Sequence, residues 1–349
     1  MKSHAIIPIF IPHKGCPNDC VFCNQKKITS TDKPIGPQEV TGIIEKNLFT
    51  LQGRGISIIE VAFYGGSFTA IPKEEQSEYL EIASFYKRHG MINKIHLSTR
   101  PDKIDDDILS HLKSYNVDII ELGAQSFDDE VLRLANRGHD SKAIISASQL
   151  VQQYGFELGL QLMIGLPGDT MQKCVYSAKE LVKIGPSIAR LYPTIVLPDT
   201  RLYDMLLAGE YKALTLGQAV SITTEMYKII TAAGINIIRV GLKGLNSAEN
   251  SHPAFRQLVE AEIAKEALET QLLHAPELED YCSEMEKHSE KVAFLPCVPV
   301  AFKSNEKSFS SMIGNARMNR NYFREKYPLF KISYEIDNTL ADYQYLVVK

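Results

Sequence analysis

Cys16-Pro-Asn-Asp-Cys20-Val-Phe-Cys23 places three thiols within a single short loop, directly after an apolar, strand-like run from His4 to Pro12. The gaps are three and then two residues, short enough for one loop to wrap a metal cluster. A cubane of four irons needs four ligands. If Cys16, Cys20 and Cys23 hold three irons, the fourth is left open to another molecule. The competing readings are structural zinc, which wants four closed ligands, unrelated reduced thiols, and disulfide partners in a secreted protein. His13 is the nearest candidate for a fourth, because Cys174, Cys282 and Cys297 are far off in sequence.

Outward from this loop the chain alternates between β-branched apolar runs and amphipathic stretches. Strands are predicted at His4–Pro12, Ile56–Tyr64, Lys94–Thr99, Val117–Ala124, Phe156–Gly165 and Ile188–Leu197, with Asn236–Gly241 after them. Helices are predicted at Pro37–Gln52, Glu74–His89, Asp105–Tyr115, Asp129–Leu134, Ser141–Tyr154, Met171–Ile184 and Leu216–Ala232. Asp105-Asp106-Asp107 and Asp140-Ser141 are helix-start signals. Repeated strand–helix units with short connections imply parallel strands joined by right-handed crossovers. The fold class is therefore α/β, a partial (β/α)6 barrel over residues 1–245. Chemistry in such barrels sits at the C-terminal strand ends, and the cysteine loop follows the first strand onto that rim.

The composition narrows the function classes. The chain of 349 residues has six cysteines and a net charge of −4, so it is not a basic nucleic-acid binder as a whole. No apolar run is long enough to span a bilayer, and Met1 to Pro12 is not a targeting segment. Clustered cysteines without a secretory signal point to a reducing cytoplasm.

The loop resembles that of the radical S-adenosylmethionine (SAM) enzymes. The resemblance implies a 4Fe-4S cluster on Cys16, Cys20 and Cys23. It further implies SAM chelated at the open iron, a 5′-deoxyadenosyl radical as the reactive species, and an electron donor such as flavodoxin or ferredoxin. The cofactors carry the hard chemistry; the protein supplies position and shielding. Later strand ends carry matching features in order. Tyr64-Gly65-Gly66-Ser67 stands where the family has a Gly-Gly-Glu-like turn that meets the SAM amino group, with Ser67 in place of the acid. Ser98 and Arg100 end the third strand. Gln125, near the end of the fourth, offers donor and acceptor, and Arg137 offers a planar fork for a carboxylate. Met163, ahead of Gly165-Leu166-Pro167-Gly168, would line the adenine. Taken singly, each is also what an ordinary strand-to-helix turn looks like.

Within that superfamily, Glu121-Leu-Gly-Ala-Gln125-Ser-Phe-Asp-Asp-Glu-Val-Leu132, Asn136-Arg137-Gly138-His139 and Arg190-Leu191-Tyr192-Pro193-Thr194 resemble the catalytic subunit of Elongator and its shorter bacterial relatives. So does Leu202-Tyr203 with Gly209-Glu210-Tyr211-Lys212. Oxygen-independent coproporphyrinogen oxidases share the Gln125/Arg137 spacing and the Gly-Leu-Pro-Gly turn. The likeness runs over about residues 8–242 and implies modification of RNA, most plausibly tRNA. Tyr192 would face the substrate or be a buried barrel tyrosine. Small-molecule chemistry in tetrapyrrole metabolism and a non-catalytic haem carrier remain the alternatives. About a hundred residues follow the barrel. That is too few for barrel closure plus Elongator's acetyltransferase domain, so the same carboxymethylation is not assumed.

Residues 246–349 are expected to form a small α+β appendage. Asn246 to Pro253 reads as a junction. Residues 255–290 are acidic and helical, with Glu260, Glu262, Glu266, Glu269, Glu284, Glu286 and Glu290. A basic segment follows, with Lys303, Lys307, Arg317, Arg320, Arg324, Lys326 and Lys331. Val298–Phe302 (strand), Ser308–Ile313 (helix), Gly314-Asn315-Ala316-Arg317 (loop), Met318–Tyr327 (helix) and Phe330–Ile336 (strand) match the minimal unit of a KH domain, whose glycine loop clamps RNA backbone. Arg317 replaces the last glycine of that loop. The alternative is a capping domain with a solvated basic face.

Overall fold

The computed structural model describes residues 4–11, 16, 20–24, 35–242, 252–275 and 297–349. His13, Cys282, Glu284, Glu286, Glu290 and residues 246–251 of the expected Asn246–Pro253 junction lie outside them. Close contacts divide the chain into two compact units, Met1–Thr215 with Ile229–Ser251, and Leu216–Lys228 with His252–Lys349.

The first unit is a parallel half-barrel. Its strands are β1 (His4–Ile11), β2 (Ile58–Gly65), β3 (Lys94–Thr99), β4 (Ile119–Gln125), β5 (Glu157–Ile164), β6 (Ile188–Pro193) and β7 (Asn236–Val240), hydrogen-bonded in that order. The expected six units are joined by a seventh strand, because Asn236–Val240 pairs on β6. Helices α1 (Pro37–Leu51), α2 (Lys73–Arg88), α3 (Asp106–Ser114), α4 (Asp129–Leu134), α5 (Ser141–Gln153), α6 (Met171–Ile184) and α7 (Arg201–Leu207) lie between the strands in sequence; α8 (Leu216–Ala232) precedes β7, and its Leu216–Lys228 part belongs to the second unit. Their starts are set by capping side chains. Asp105 accepts from Ile108 N at 2.8 Å, Asp128 from Val131 N at 3.0 Å and Asp140 from Ala143 N at 2.9 Å. All seven residues of β4 are buried, as a central parallel strand requires.

Several element boundaries differ from the sequence reading, and one helix is added. The sixth strand ends at Pro193 rather than Leu197, since proline brings no N–H to the ladder. Helix α7, too short to show a period, starts at a Thr200 hydroxyl cap on Tyr203 N.

The second unit has a three-stranded sheet ordered β10 (Tyr345–Val348), β8 (Val298–Ser304), β9 (Phe330–Ile336). Strand β8 runs parallel to β9 and antiparallel to β10. With it go α9 (Phe255–His274), α10 (Phe309–Ile313) and α11 (Met318–Lys326). Its core includes Leu268, Leu272, Met312 and the edge-on pair Phe302–Phe323, with ring centroids 4.8 Å apart. Strand β10 escapes sequence reading because it is only four residues long, with alternate residues exposed. Among the described residues no helix is long and apolar enough to cross a membrane.

Candidate active site at the strand ends of the half-barrel

The second half of the cysteine loop is tied to the rim by backbone bonds. Val21 N donates to Ala135 O at 3.2 Å, and Leu202 N donates to Val21 O at 2.7 Å. Cys23 N donates to Cys20 O at 2.9 Å, closing a turn between the last two cysteines. Val21 packs against Leu202 and Tyr211, while Phe22 and Met163 each pack against the cluster of Val131, Ala135 and Leu166. Cys20 is only 4% exposed; Cys16 and Cys23 are half-buried. Among the described residues the three thiols are not gathered into one closed ligand set.

Arg137 is the link between this loop and the fourth strand. Its Nη1 donates to Cys20 Sγ at 3.2 Å and its Nη2 to Gly123 O at 2.6 Å. Arg100 joins the same chain: Nη2 donates to the Arg137 carbonyl and Nε to Asp102 Oδ1 at 2.9 Å. Its remaining Nη1 is buried without a hydrogen-bond partner. A buried guanidinium donor left open is costly unless a ligand acceptor meets it.

The other expected SAM residues cluster on two neighbouring edges. Ile11, Gly65, Gly66, Ser67 and Ser98 line a small recess at the ends of β1 to β3. Gly65 has φ +111°, and a Cβ there would stand 2.5 Å from Ile11 O, so the two strand ends approach backbone to backbone. The Ser67 hydroxyl is turned inward, sharing a hydrogen bond with Thr99 Oγ1 at 2.8 Å and accepting from Arg100 N at 3.2 Å. At the end of β4, Gln125 has φ +69° and its amide oxygen accepts from Gln161 Nε2 at 3.2 Å. The structure thus joins Arg100, Arg137 and Cys20 in one chain, and Ser67 to Arg100. Gln125 pairs with Gln161, and Met163 packs against the same Val131, Ala135 and Leu166 cluster as Phe22.

A donor set of thiols on one rim loop, with a buried guanidinium on one of them and a second guanidinium donor open beside it, fits a thiolate-bound cluster and an anionic ligand.

Below the rim lies a polar ladder not foreseen from the sequence. His96, fully buried, stands between Glu60 (3.6 Å) and Glu121 (3.5 Å). Glu121 Oε2 accepts from Arg190 Nε at 2.6 Å, and Arg190 donates to Tyr192 Oη at 3.2 Å and to Tyr64 Oη. Burial works against charge on His96, but the Glu121 and Glu60 carboxylates on either side of the ring outweigh it and raise its pKa. Burial likewise opposes the Glu60 carboxylate, yet His96 and His4 hold its pKa below the ordinary value. Burial pushes Glu121 up, and the Arg190 charge and His96 bring it below normal. The signal was present as single polar residues in apolar strands. Their meeting, however, depends on register across four strands.

Residues 10–181 match the radical SAM superfamily model and residues 186–265 the radical SAM C-terminal domain. The chain belongs to the radical SAM superfamily. It is a radical SAM enzyme by family, and the family implies a 4Fe-4S cluster, SAM and a reductant. It is 29% identical over 225 residues to an uncharacterized protein of Methanocaldococcus jannaschii, covering 60% of this chain and 67% of that one. It is 26% identical to the heme chaperone HemW of Bacillus subtilis, covering 62% and 56% of the two chains. It is also 28% identical to the tRNA uridine(34) acetyltransferase of M. jannaschii, covering 51% of this chain but 37% of that enzyme. The chain therefore spans little more than half of the heme chaperone and little more than a third of the transferase. The solved structure of Methanocaldococcus infernus Elp3 with an N-terminal deletion shares the fold at TM-score 0.59. It is 19% identical, covering 76% of this chain and 64% of that one.

Proposed function

We propose that this radical SAM enzyme modifies RNA, with tRNA as the favoured substrate. When bound, the cluster and SAM supply a 5′-deoxyadenosyl radical. Cys16, Cys20 and Cys23 would hold the cluster. Gly65, Gly66, Ser67, Ser98, Arg100, Gln125, Arg137 and Met163 would shape the SAM site around it. Within that set, Arg137 orients Cys20 while Arg100 keeps a donor open. We place residues 1–245 as the catalytic domain and 246–349 as the substrate-binding one.

The observation that carries the RNA reading is the turn between α10 and α11. Gly314, Ala316 and Arg317 all have positive φ, at 80°, 49° and 65°. Left-handed backbone at a non-glycine residue costs roughly 1–2 kcal/mol and is retained where the surroundings enforce it. Asn319 enforces it here, donating from its amide to Ala261 O at 2.8 Å and Ser311 O at 3.1 Å. The strained turn projects Arg317, and Arg320 and Arg324 follow on the exposed side of α11. Arg320 lies 6.0 Å from the Tyr334 ring centre, a guanidinium beside an aromatic surface of the kind single-stranded RNA uses. The similarity to a tRNA-modifying enzyme supports the same reading.

Titration of labelled tRNA against the full chain and an Arg317→Ala/Arg320→Ala/Arg324→Ala variant tests it. The variant is expected to bind at least about tenfold more weakly, with a shallower salt dependence. Equal binding by both proteins overturns the reading. Haem binding by the wild-type chain without tRNA binding would do so as well, and would favour a carrier role instead.

A further inference from the structure

The lumen wall holds two arginines side by side, and only one of them is neutralised. Arg190 on β6 and Arg239 on β7 are register partners, so both side chains leave the sheet on the same face. Arg190 is paired with Glu121 at 2.6 Å. The Arg239 guanidinium makes one hydrogen bond, from Nε to Gly241 O at 3.0 Å, and no carboxylate reaches it among the described residues. Like charges opposite each other on neighbouring strands destabilise a sheet unless a counter-charge is supplied.

The register makes this arrangement specific. Ile188 and Ala189 pair with Asn236 and Ile237, but the next pair is Arg190 with Arg239, not Arg190 with Ile238. A bulge has inserted one residue. Without it, Arg239 would face Leu191 and emerge on the outer, apolar face of the sheet. Bulges re-aim side chains and recur beside active sites. Here the bulge transfers a cation from the packed face to the lumen, next to Tyr192. The Tyr192 hydroxyl oxygen already accepts from Arg190, so its own proton is available to a further acceptor. Burial raises the Tyr192 pKa despite the neighbouring Arg190 and Arg239 charges, which keeps that proton in place.

We propose that Arg239, with the Tyr192 hydroxyl, is an oxyanion-binding site in the barrel lumen that anchors a carboxylate or phosphate of the substrate. Arginine offers two parallel N–H donors matched to such a group. The site rests on the half-barrel alone and does not require that the substrate be RNA. Because a nucleotide and a carboxylic acid share this chemistry, the test carries both.

The full chain is labelled with phenylglyoxal, and modification of each arginine is followed by peptide mass spectrometry with added inorganic phosphate or added acetate. Near saturation by either anion, labelling of Arg239 is expected to slow about tenfold by mass action, while the exposed Arg54 and Arg324 are unaffected. Protection by phosphate assigns a phosphate-bearing substrate. Protection by acetate alone keeps the oxyanion site while contradicting the RNA reading. Labelling of Arg239 that neither anion slows, or slowing equal to that of Arg54 and Arg324, overturns the site.

Discussion

Arg137 Nη1 donates to Cys20 Sγ at 3.2 Å, joining the segment after α4 to the cysteine loop across 117 residues of sequence. The same guanidinium holds the Gly123 carbonyl, and the Arg137 carbonyl accepts from Arg100. One residue, through its side chain and its carbonyl, therefore sets where β4, the cysteine loop and the Arg100 turn stand relative to one another. Arg137→Met should leave the Gly123 carbonyl buried without its donor and lower unfolding stability by about 1–3 kcal/mol. Iron retained after anaerobic reconstitution should fall with it, and Arg137→Lys should recover only part. Undiminished stability and iron content in Arg137→Met would contradict this role.

Glu121 and Arg190 form a buried charge pair whose members are unequal to replace singly and jointly. Glu121→Ala strands the guanidinium and should cost about 3–5 kcal/mol, read from urea midpoints. Glu121→Leu with Arg190→Met removes both charges and should cost much less than the sum of the single changes. Additive losses would show that the two residues act independently.

The ladder also gives stability a pH window. The His96 pKa is raised above 6.5 in the folded protein, so its contribution is complete below that pH and is lost as pH rises through the folded value. The Glu60 and Glu121 values are lowered below 4.5, so theirs are complete above that pH and lost as it falls. Urea midpoints should therefore be highest between these limits and decline on both sides. His96→Gln should remove the alkaline decline that His96 contributes. An unchanged alkaline limb in that variant would refute the assignment.

Glycine positions separate a structural demand from a tolerance. At Gly65 the left-handed φ and the 2.5 Å approach to Ile11 O leave no room for a methyl group. Gly65→Ala should destabilise by roughly 1–3 kcal/mol and disturb the strand end that launches the cysteine loop. Gly42, inside α1, has nothing within 4 Å of a Cβ. Gly42→Ala should instead stabilise by about 0.4–1 kcal/mol, and thermal unfolding of both variants distinguishes the two cases.

These contrasts show what kind of information the chain displays locally. Cys16, Cys20 and Cys23, the Gly65-Gly66 turn and the capped helix starts at Asp105 and Asp140 are legible because each depends on residues close in sequence. The strand order follows from the regular alternation, which leaves parallel crossovers as the simple solution. The ladder of Glu60, His96, Glu121 and Arg190 was not legible. Each residue looks like an isolated polar interruption until strand register brings them face to face. Arg239 was hidden further, since a period-two reading of β7 puts it on the wrong face and only the bulge returns it to the lumen. The Arg137 role was half legible: a fork for an anion was expected, and its bond to Cys20 emerged only in three dimensions.

The most direct test is release of 5′-deoxyadenosine from SAM by the anaerobically reconstituted, reduced protein. The wild-type chain should form it, and Cys16→Ala, Cys20→Ala and Cys23→Ala should each abolish it together with the bound iron. Undiminished 5′-deoxyadenosine from Cys20→Ala, or none from wild-type protein loaded with iron, would contradict the account.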